Sequence, residues 1–519
     1  MYKVVRGNSL QEIRREINNW KDFKLLETLK AIYHNETNSK RKMDYKQQID
    51  EILSRLTDNF QYFDLKIYFS EVFHNKSGFD IIIANPPYIK EYINRSAFDG
   101  LRDSPYYQGK MDIWYMFACK GIDFLKPYGI ITLIAQNNWV TSFGAKKMRK
   151  KIIEDAKILQ MVDFYTFKIF ESSEIQTMIM IFQKNSKDDN YQFDFRRVKV
   201  ENPDYKDIID MLNKLPNEKI VYLLPCFNRK ILKDKPFTFN EDIIEVLLRK
   251  ILHQSNFNLL DNEITNGIHT HHDYVTKEML KILGPNFKVG DGIFVLSEVE
   301  KNSIPFTPTE LELIKPYYTS EELKKYYAVK KNSKWIIYTD SKFRNPKFIE
   351  PYPNIKKHLD KFQQVITSDN KPYGLHRARD EKFFKGEKII ALRKCVEPCF
   401  TYTDFDCYVS AAFYIIKTER VNMKFLTALL NSKVVKFWLR YKGKMQGSNY
   451  QIDKEPLLNL PLKIPKNVQP FVNLVEEIIA RIKQNPAANI SELEIQIDKL
   501  VYELYDLTNE EIEIIEKIR

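Results

Sequence analysis

The chain has 519 residues, 81 Lys+Arg against 69 Asp+Glu, and a net charge of +12. With 44% hydrophobic and 29% charged residues it can build cores, which excludes a disordered or fibrous chain, and its length points to roughly three to four units of ordinary size. Glycine is scarce, 15 in all with only Gly7 and Gly78 before residue 100, so a glycine-rich nucleotide loop has almost no place there.

In chain order, residues 2–5 read as a short strand ended by "RGNSL". Residues 10–33 and 44–56 carry apolar residues at helical spacing around the polar break "HNETNSKRK", which predicts a helical hairpin. "FDIIIANPPY", from Phe79 to Tyr88, is a continuous apolar run bounded by Gly78 and two prolines, read as a strand buried on both faces of a parallel sheet. A helix over 111–127 stopped by Pro127 and Gly129, a strand over 129–136, the helix "GAKKMRKKIIED", the strand "ILQMVDFY" and the strand 175–184 follow. This alternation predicts an α/β sheet. Residues 185–260 are a polar transition. Beyond 265, short strands such as 335–340, 387–394 and 399–417 alternate with turns, and a helix containing "FLTALLNSKVVKFWLRY" follows, which reads as a separate α+β module. The tail, 467–517, reads as two amphipathic helices separated by Asn485-Pro486.

No run reaches the roughly 18 apolar residues that span a bilayer, and the first residues lack the apolar core of a signal peptide, so a cytoplasmic protein is expected. The five cysteines, Cys119, Cys226, Cys395, Cys399 and Cys407, fit reduced thiols. Three of them lie close in sequence, but without a CxxC spacing or an obvious fourth ligand no metal is expected. The histidines at 269, 271 and 272 read as part of a polar loop. The basic blocks "KKMRKK" (146–151) and "RYKGK" (440–444) suit a phosphate backbone, although such runs are usually solvated faces.

The tetrapeptide Asn85-Pro86-Pro87-Tyr88 carries the chemistry. It follows a strand at the carboxyl end, where open α/β sheets place ligands. Two prolines fix φ and lack N–H donors, which leaves a stiff loop of carbonyl oxygens. Asn85 adds a side-chain acceptor and Tyr88 a flat aromatic face. This set suits a planar heterocycle with an exocyclic amine. The adenine amine is a poor nucleophile because its lone pair is delocalised. Acceptors at the Asn85 side-chain oxygen and the Pro86 carbonyl engage both N–H bonds and turn the lone pair toward an electrophile, so catalysis is positioning plus electrostatics. A base inside a duplex must first be flipped out.

On these residues the chain resembles the gamma-class DNA adenine-N6 methyltransferases, in the type IIG restriction–modification branch with a TaqI-like C-terminal specificity domain. "FDIIIANPPY" is similar to the family's catalytic motif. "MDIWYMF…FLKPYGIITLIAQNNWV" is similar to the helix and strand after it, with Tyr128 in place of one glycine of the turn. "IFESSEIQTMIMIFQK" resembles the segment whose aromatic, here Phe170, stacks on the flipped base; a core phenylalanine is the competing reading. "NGIHTHHDYV" (266–275) stands where the family has a "GIxTG" segment, with His271 replacing the second glycine. "LLNSKVVKFWLR", "LNLPLKIP" and the ending "IDKLVYELYDLTNEEIEIIE" resemble further pieces.

The resemblance implies an α/β fold: a partial Rossmann-like class I methyltransferase sheet over 1–235, with a hairpin insertion at about 10–56, then an α+β target-recognition domain over 245–465 and C-terminal helices over 466–519. It implies S-adenosylmethionine as methyl donor, with Asn8, Asn85 and Pro87 on the cofactor side and Tyr88 and Phe170 stacking on the base. Asn8 as an ordinary strand-end residue is the alternative. The family's "DPACGSG"-like cofactor loop has no counterpart before residue 79, so its first cofactor strands and any nuclease are expected upstream, in a separate chain. Pro203-Asp204 has no nuclease partner in register. Double-stranded DNA is the expected partner, with Arg377, Arg379, Arg393, Lys394 and Lys444 as candidate contacts. A DNA-recognition fragment without catalysis is the competing reading.

Overall fold

The computed structural model describes residues 20–57, 64–170, 175–184, 188–232, 237–446 and 449–517. The chain forms two compact units, Met1–Glu241 and Asp242–Arg519.

The first unit opens with α1 (Trp20–Asn35) and α2 (Ser39–Leu56). The predicted polar break shrinks to three residues, because the Asn38 side chain accepts from the Lys40 and Arg41 N–H groups and so starts α2 early. Leu26 and Leu29 face Ile49, Ile52, Leu53 and Leu56, the helical spacing legible in the sequence. Then come β1 (Phe79–Ala84), α3 (Trp114–Phe124), β2 (Leu125–Gln136), α4 (Lys146–Asp155), β3 (Ala156–Asp163), β4 (Thr177–Lys184), β5 (Asp194–Val198), α5 (Tyr205–Asn213) and β6 (Ile220–Leu223). These strands make one sheet in the order β1-β2-β4-β3-β5-β6. β1 runs parallel to β2, and β3 parallel to β5; β4 is antiparallel to both of its neighbours. The strand expected over 129–136 starts four residues earlier, at Leu125, so Pro127 lies inside β2 and α3 ends at Phe124.

The sheet buries one face of β1, β2 and β4 against α3 and α4, through Leu133, Ala135, Met178, Met180 and Phe182. On β1, Ile82 and Ala84 point into this core. Ile81 and Ile83 point the other way and are 63% and 80% exposed. The reading of β1 as buried on both faces is therefore corrected: β1 stands at the end of the sheet order among the described residues, and its apolar run is half core and half bare surface. Gly78 precedes it at φ 140, and a Cβ there would meet the Leu125 backbone at 2.6 Å.

In the second unit, a five-stranded sheet orders Tyr326–Tyr327, Phe400–Thr403, Lys388–Leu392, Phe413–Ile416 and Ile264–Asn266. A four-stranded sheet orders Val295–Ser297, Lys334–Ile337, Ile314–Tyr318 and Tyr408–Val409. The helix expected around 425–441 is two helices, Met423–Leu430 and Lys433–Lys442, because the Ser432 hydroxyl caps a new start by accepting from Val435 N–H. The tail holds a third helix, Asn509–Glu516, beyond Gln469–Gln484 and Ser491–Leu504; a Thr508–Glu511 capping box begins it. Val475, Ile478, Ile497 and Val501 of the tail share one hydrophobic core with Ile389, Phe400 and Ile415 of the sheet. No helix among the described residues is long and apolar enough to cross a membrane.

Candidate active site

β1 delivers Asn85-Pro86-Pro87-Tyr88 at its carboxyl end, one residue beyond the Ala84–Leu133 register pair with β2. Asn85 and Pro87 are exposed, Pro86 is buried and Tyr88 is half-buried. The Tyr88 ring packs beside the α3 core. Its hydroxyl lies 3.0 Å from both Asn85 Oδ1 and the Ile134 carbonyl, and its single proton is shared between these two acceptors. Burial pushes the phenol above its ordinary pKa. An amide oxygen has two lone pairs, so Asn85 Oδ1 held by Tyr88 keeps one for an incoming N–H. The aromatic residue thus also aims the acceptor.

The chain after Tyr88 is clamped to the segment before α3. Ile89 N–H donates to Asp112 Oδ1 at 3.0 Å, Ile113 N–H to the Ile89 carbonyl at 3.0 Å, and Glu91 N–H to the Met111 carbonyl at 3.0 Å. Asp112 is 3% exposed, and its Oδ2 has no hydrogen-bond partner among the described residues. Burial raises its pKa to about 6, with backbone N–H groups opposing the shift. The helix read over 111–127 in the sequence assigns this residue no role; its signal there is an aspartate directly before an apolar helix.

Phe170 is half-buried in the stretch between β3 and β4. β2 and β3 end, and β4 begins, at the same edge of the sheet: Gln136 pairs with Thr177 and Asp163 with Met178. Topology therefore puts the Phe170 segment at the sheet end that bears Asn85. Asp163, also missed in the sequence, ties that end together. It accepts from Asn137 Nδ2 and Tyr165 N–H at 3.0 Å each and pairs with Arg197 Nε at 2.9 Å. Asn8 lies outside the described residues. Asp204 caps α5 in a box with Asp207, a structural role.

The basic candidates separate by environment. Arg377 and Lys394 are exposed. Arg393 Nε and Lys444 Nζ both bind Asp453, at 2.6 and 3.0 Å. Arg379 turns inward, its Nε 3.3 Å from the Gly267 carbonyl. Among the described residues no group of three or more His, Cys, Asp or Glu could hold a metal ion; the five cysteines are free thiols.

Against known proteins, the Eco57I restriction-modification methylase family matches residues 10–170, and the TaqI-like C-terminal specificity domain matches residues 315–462. The chain is 22% identical over 434 residues to the type II methyltransferase M.HindII of Haemophilus influenzae, covering 75% of this chain and 76% of that protein. It is 24% identical over 310 residues to the type II restriction enzyme and methyltransferase RM.Eco57I of Escherichia coli, covering 56% of this chain and only 29% of that longer protein. In fold it is similar to the type IIL restriction-modification enzyme MmeI, solved in complex with DNA, with a TM-score of 0.57 at 14% identity, covering 90% of this chain and 62% of MmeI. The chain thus carries an Eco57I-like restriction-modification methylase domain bearing the Asn85–Tyr88 loop, followed by a TaqI-like C-terminal specificity domain, and is similar to type II methyltransferases over both.

Proposed function

We propose that this chain transfers the methyl group of S-adenosylmethionine to adenine N6 at a specific site in duplex DNA, as the modification arm of a restriction–modification system. The observation that carries the reading is the Asn85 amide, exposed at the carboxyl end of β1 and oriented by the Tyr88 hydroxyl at 3.0 Å. Asn85 Oδ1 and the Pro86 carbonyl accept the two N–H bonds of the flipped base, and Tyr88 and Phe170 offset its lost stacking. Bound S-adenosylmethionine supplies the electrophilic methyl group. Asn85 and Pro87, exposed at the sheet end, form the wall facing it. They fit the reacting end of the donor and not its nucleoside, for which Asn8 and an upstream chain are the candidates. The second unit reads the sequence. Arg377 and Lys394 reach DNA directly, whereas Arg393, Lys444 and Arg379 shape the surface through Asp453 and Gly267. The compartment is that of the DNA, the cytoplasm.

Methyl incorporation into DNA, measured with the chain alone and with the product of the adjacent upstream reading frame, tests this. Asn85→Ala is expected to lower kcat by about two orders of magnitude or more while leaving DNA affinity nearly unchanged. Incorporation only with both proteins supports a split enzyme. DNA binding without incorporation in either case leaves the recognition-fragment reading.

A further inference from the structure

Four of the chain's eight histidines meet at one place on the second unit. His269 and Arg377 exchange backbone hydrogen bonds, N–H to carbonyl at 3.0 and 2.9 Å, which joins the segment 266–275 to the segment 367–379. The His376 ring lies edge-on to His269 at 4.9 Å and stacks on His271 at 5.0 Å; His272 lies 4.7 Å from His271. Thr367 Oγ1 sits 3.2 Å from His271 Nδ1 and 2.9 Å from His272 Nε2. The mount is rigid. A Cβ on Gly267 would meet the Ser410 carbonyl at 2.0 Å, and Ile268 bridges to Ser410. His271 itself holds a left-handed backbone at φ 76, which costs a non-glycine residue about 1 kcal/mol or more.

This cluster faces solvent. His269, His271, Thr367 and Arg377 are exposed, and His272 and His376 half-buried. Its charged neighbours are the cations Arg377 and Arg379 and the acids Asp369 and Asp273. Beyond Asp273 lie Tyr274 and the Lys334 ammonium over its ring. Asp369 is 3.4 Å from His376 Nδ1 but largely exposed, and Asp273 is engaged by the Thr270 hydroxyl. Burial first, then repulsion from the neighbouring imidazoles, holds His269 and His272 below the ordinary histidine pKa; burial does the same for His376. The neutral forms of His269, His272 and His376 are therefore favoured, and each keeps one ring N–H donor. A partner with dense negative charge reverses that balance by stabilising imidazolium.

We propose that His269, His271, His272 and His376, with Thr367 and Arg377, form a phosphate-backbone seat for DNA whose affinity is linked to proton uptake. The inference rests on the reading of the chain as a DNA-binding methyltransferase and adds to it a contact and a control. Phosphodiester oxygens accept from the imidazole N–H groups and from Arg377. Each proton taken up changes DNA affinity about tenfold per pH unit where the imidazoles titrate.

The test is DNA affinity of the full chain for a mixed-sequence duplex, by fluorescence anisotropy at constant ionic strength, between about pH 6 and pH 8. Wild type is expected to bind at least about tenfold more tightly at the acid end. Calorimetry in two buffers of different ionisation enthalpy is expected to register proton uptake. His269→Gln with His271→Asn, chosen because asparagine tolerates the left-handed backbone, is expected to flatten the pH slope with an unchanged melting temperature. Arg377→Gln is expected to weaken binding at every pH and to lower its salt slope. Binding with the same slope in the histidine variant overturns the seat while leaving the DNA reading intact. Absence of DNA binding by wild type at every pH overturns the DNA reading itself. Stoichiometric zinc uptake by the DNA-free chain, with a flat pH profile for DNA, overturns the seat in favour of a metal centre.

Discussion

Asp112 is a carboxyl held in an apolar wall beside the catalytic loop, 3% exposed, with one oxygen on Ile89 N–H. Its folded pKa of about 6 lies above the ordinary carboxylate value of 3.8. The folded state therefore binds the proton more tightly than the unfolded chain. The stability this group contributes is present at low pH and is lost as pH rises from about 4 to about 6. Asp112→Asn keeps the acceptor and removes the charge. In urea unfolding followed by tryptophan fluorescence, the variant is expected to gain about 2–3 kcal/mol on wild type between the acid and neutral ends of that window. A constant difference between the two proteins overturns the assignment. Two other residues show what scarce glycine costs. Tyr128 and His271 stand where the family resemblance has glycines, and both hold positive φ, 65 and 76. The backbone shape is kept without the residue that adopts it freely.

At the scale of elements, β1 has one covered face and one bare one. Ile83 is 80% exposed and Leu133, on the adjacent strand, is 1% exposed. Ile83→Ala is expected to change stability by less than about 0.5 kcal/mol, whereas Leu133→Ala is expected to cost about 2–5 kcal/mol, measured by denaturant unfolding. Comparable losses at both positions count against the bare face. Much of this architecture was legible in the sequence: the helical hairpin from its 3.6-residue spacing, the strand–helix alternation after Phe79, and the Asn85–Tyr88 loop at a strand end. The bare face was not, because a run of isoleucines reads the same whether one side or both are covered; only neighbouring elements distinguish them. The break at Asn431-Ser432 and the early start of α2 were hidden for a related reason. A cap is a single hydroxyl or amide finding N–H groups, and apolar periodicity carries no trace of it. Asp112 and Asp163 escaped because their roles depend on partners distant in sequence, Ile89 and Arg197.

For the whole molecule, the division into Met1–Glu241 and Asp242–Arg519 separates the two segments that match family models. The first unit holds the loop that would do the chemistry, and the second holds all of the segment similar to specificity domains, 315–462, together with the histidine patch. The arginines and lysines of the second unit are not equal: Asp453 holds Arg393 and Lys444 in place, so loss of that one carboxylate frees two cations at once. The bare isoleucines of β1 have a colloidal consequence. Every copy carries a net charge of +12, which keeps molecules apart at low ionic strength. Near physiological salt the repulsion reaches only about 8–10 Å, and the aliphatic face around Ile81 and Ile83 then meets its counterpart on another copy without opposition. Light scattering of the purified chain is therefore expected to show particle size growing as salt is added. That is the reverse of the dissociation that salt would bring to the proposed complex with DNA, and replacing Ile81 and Ile83 with threonine is expected to abolish the growth.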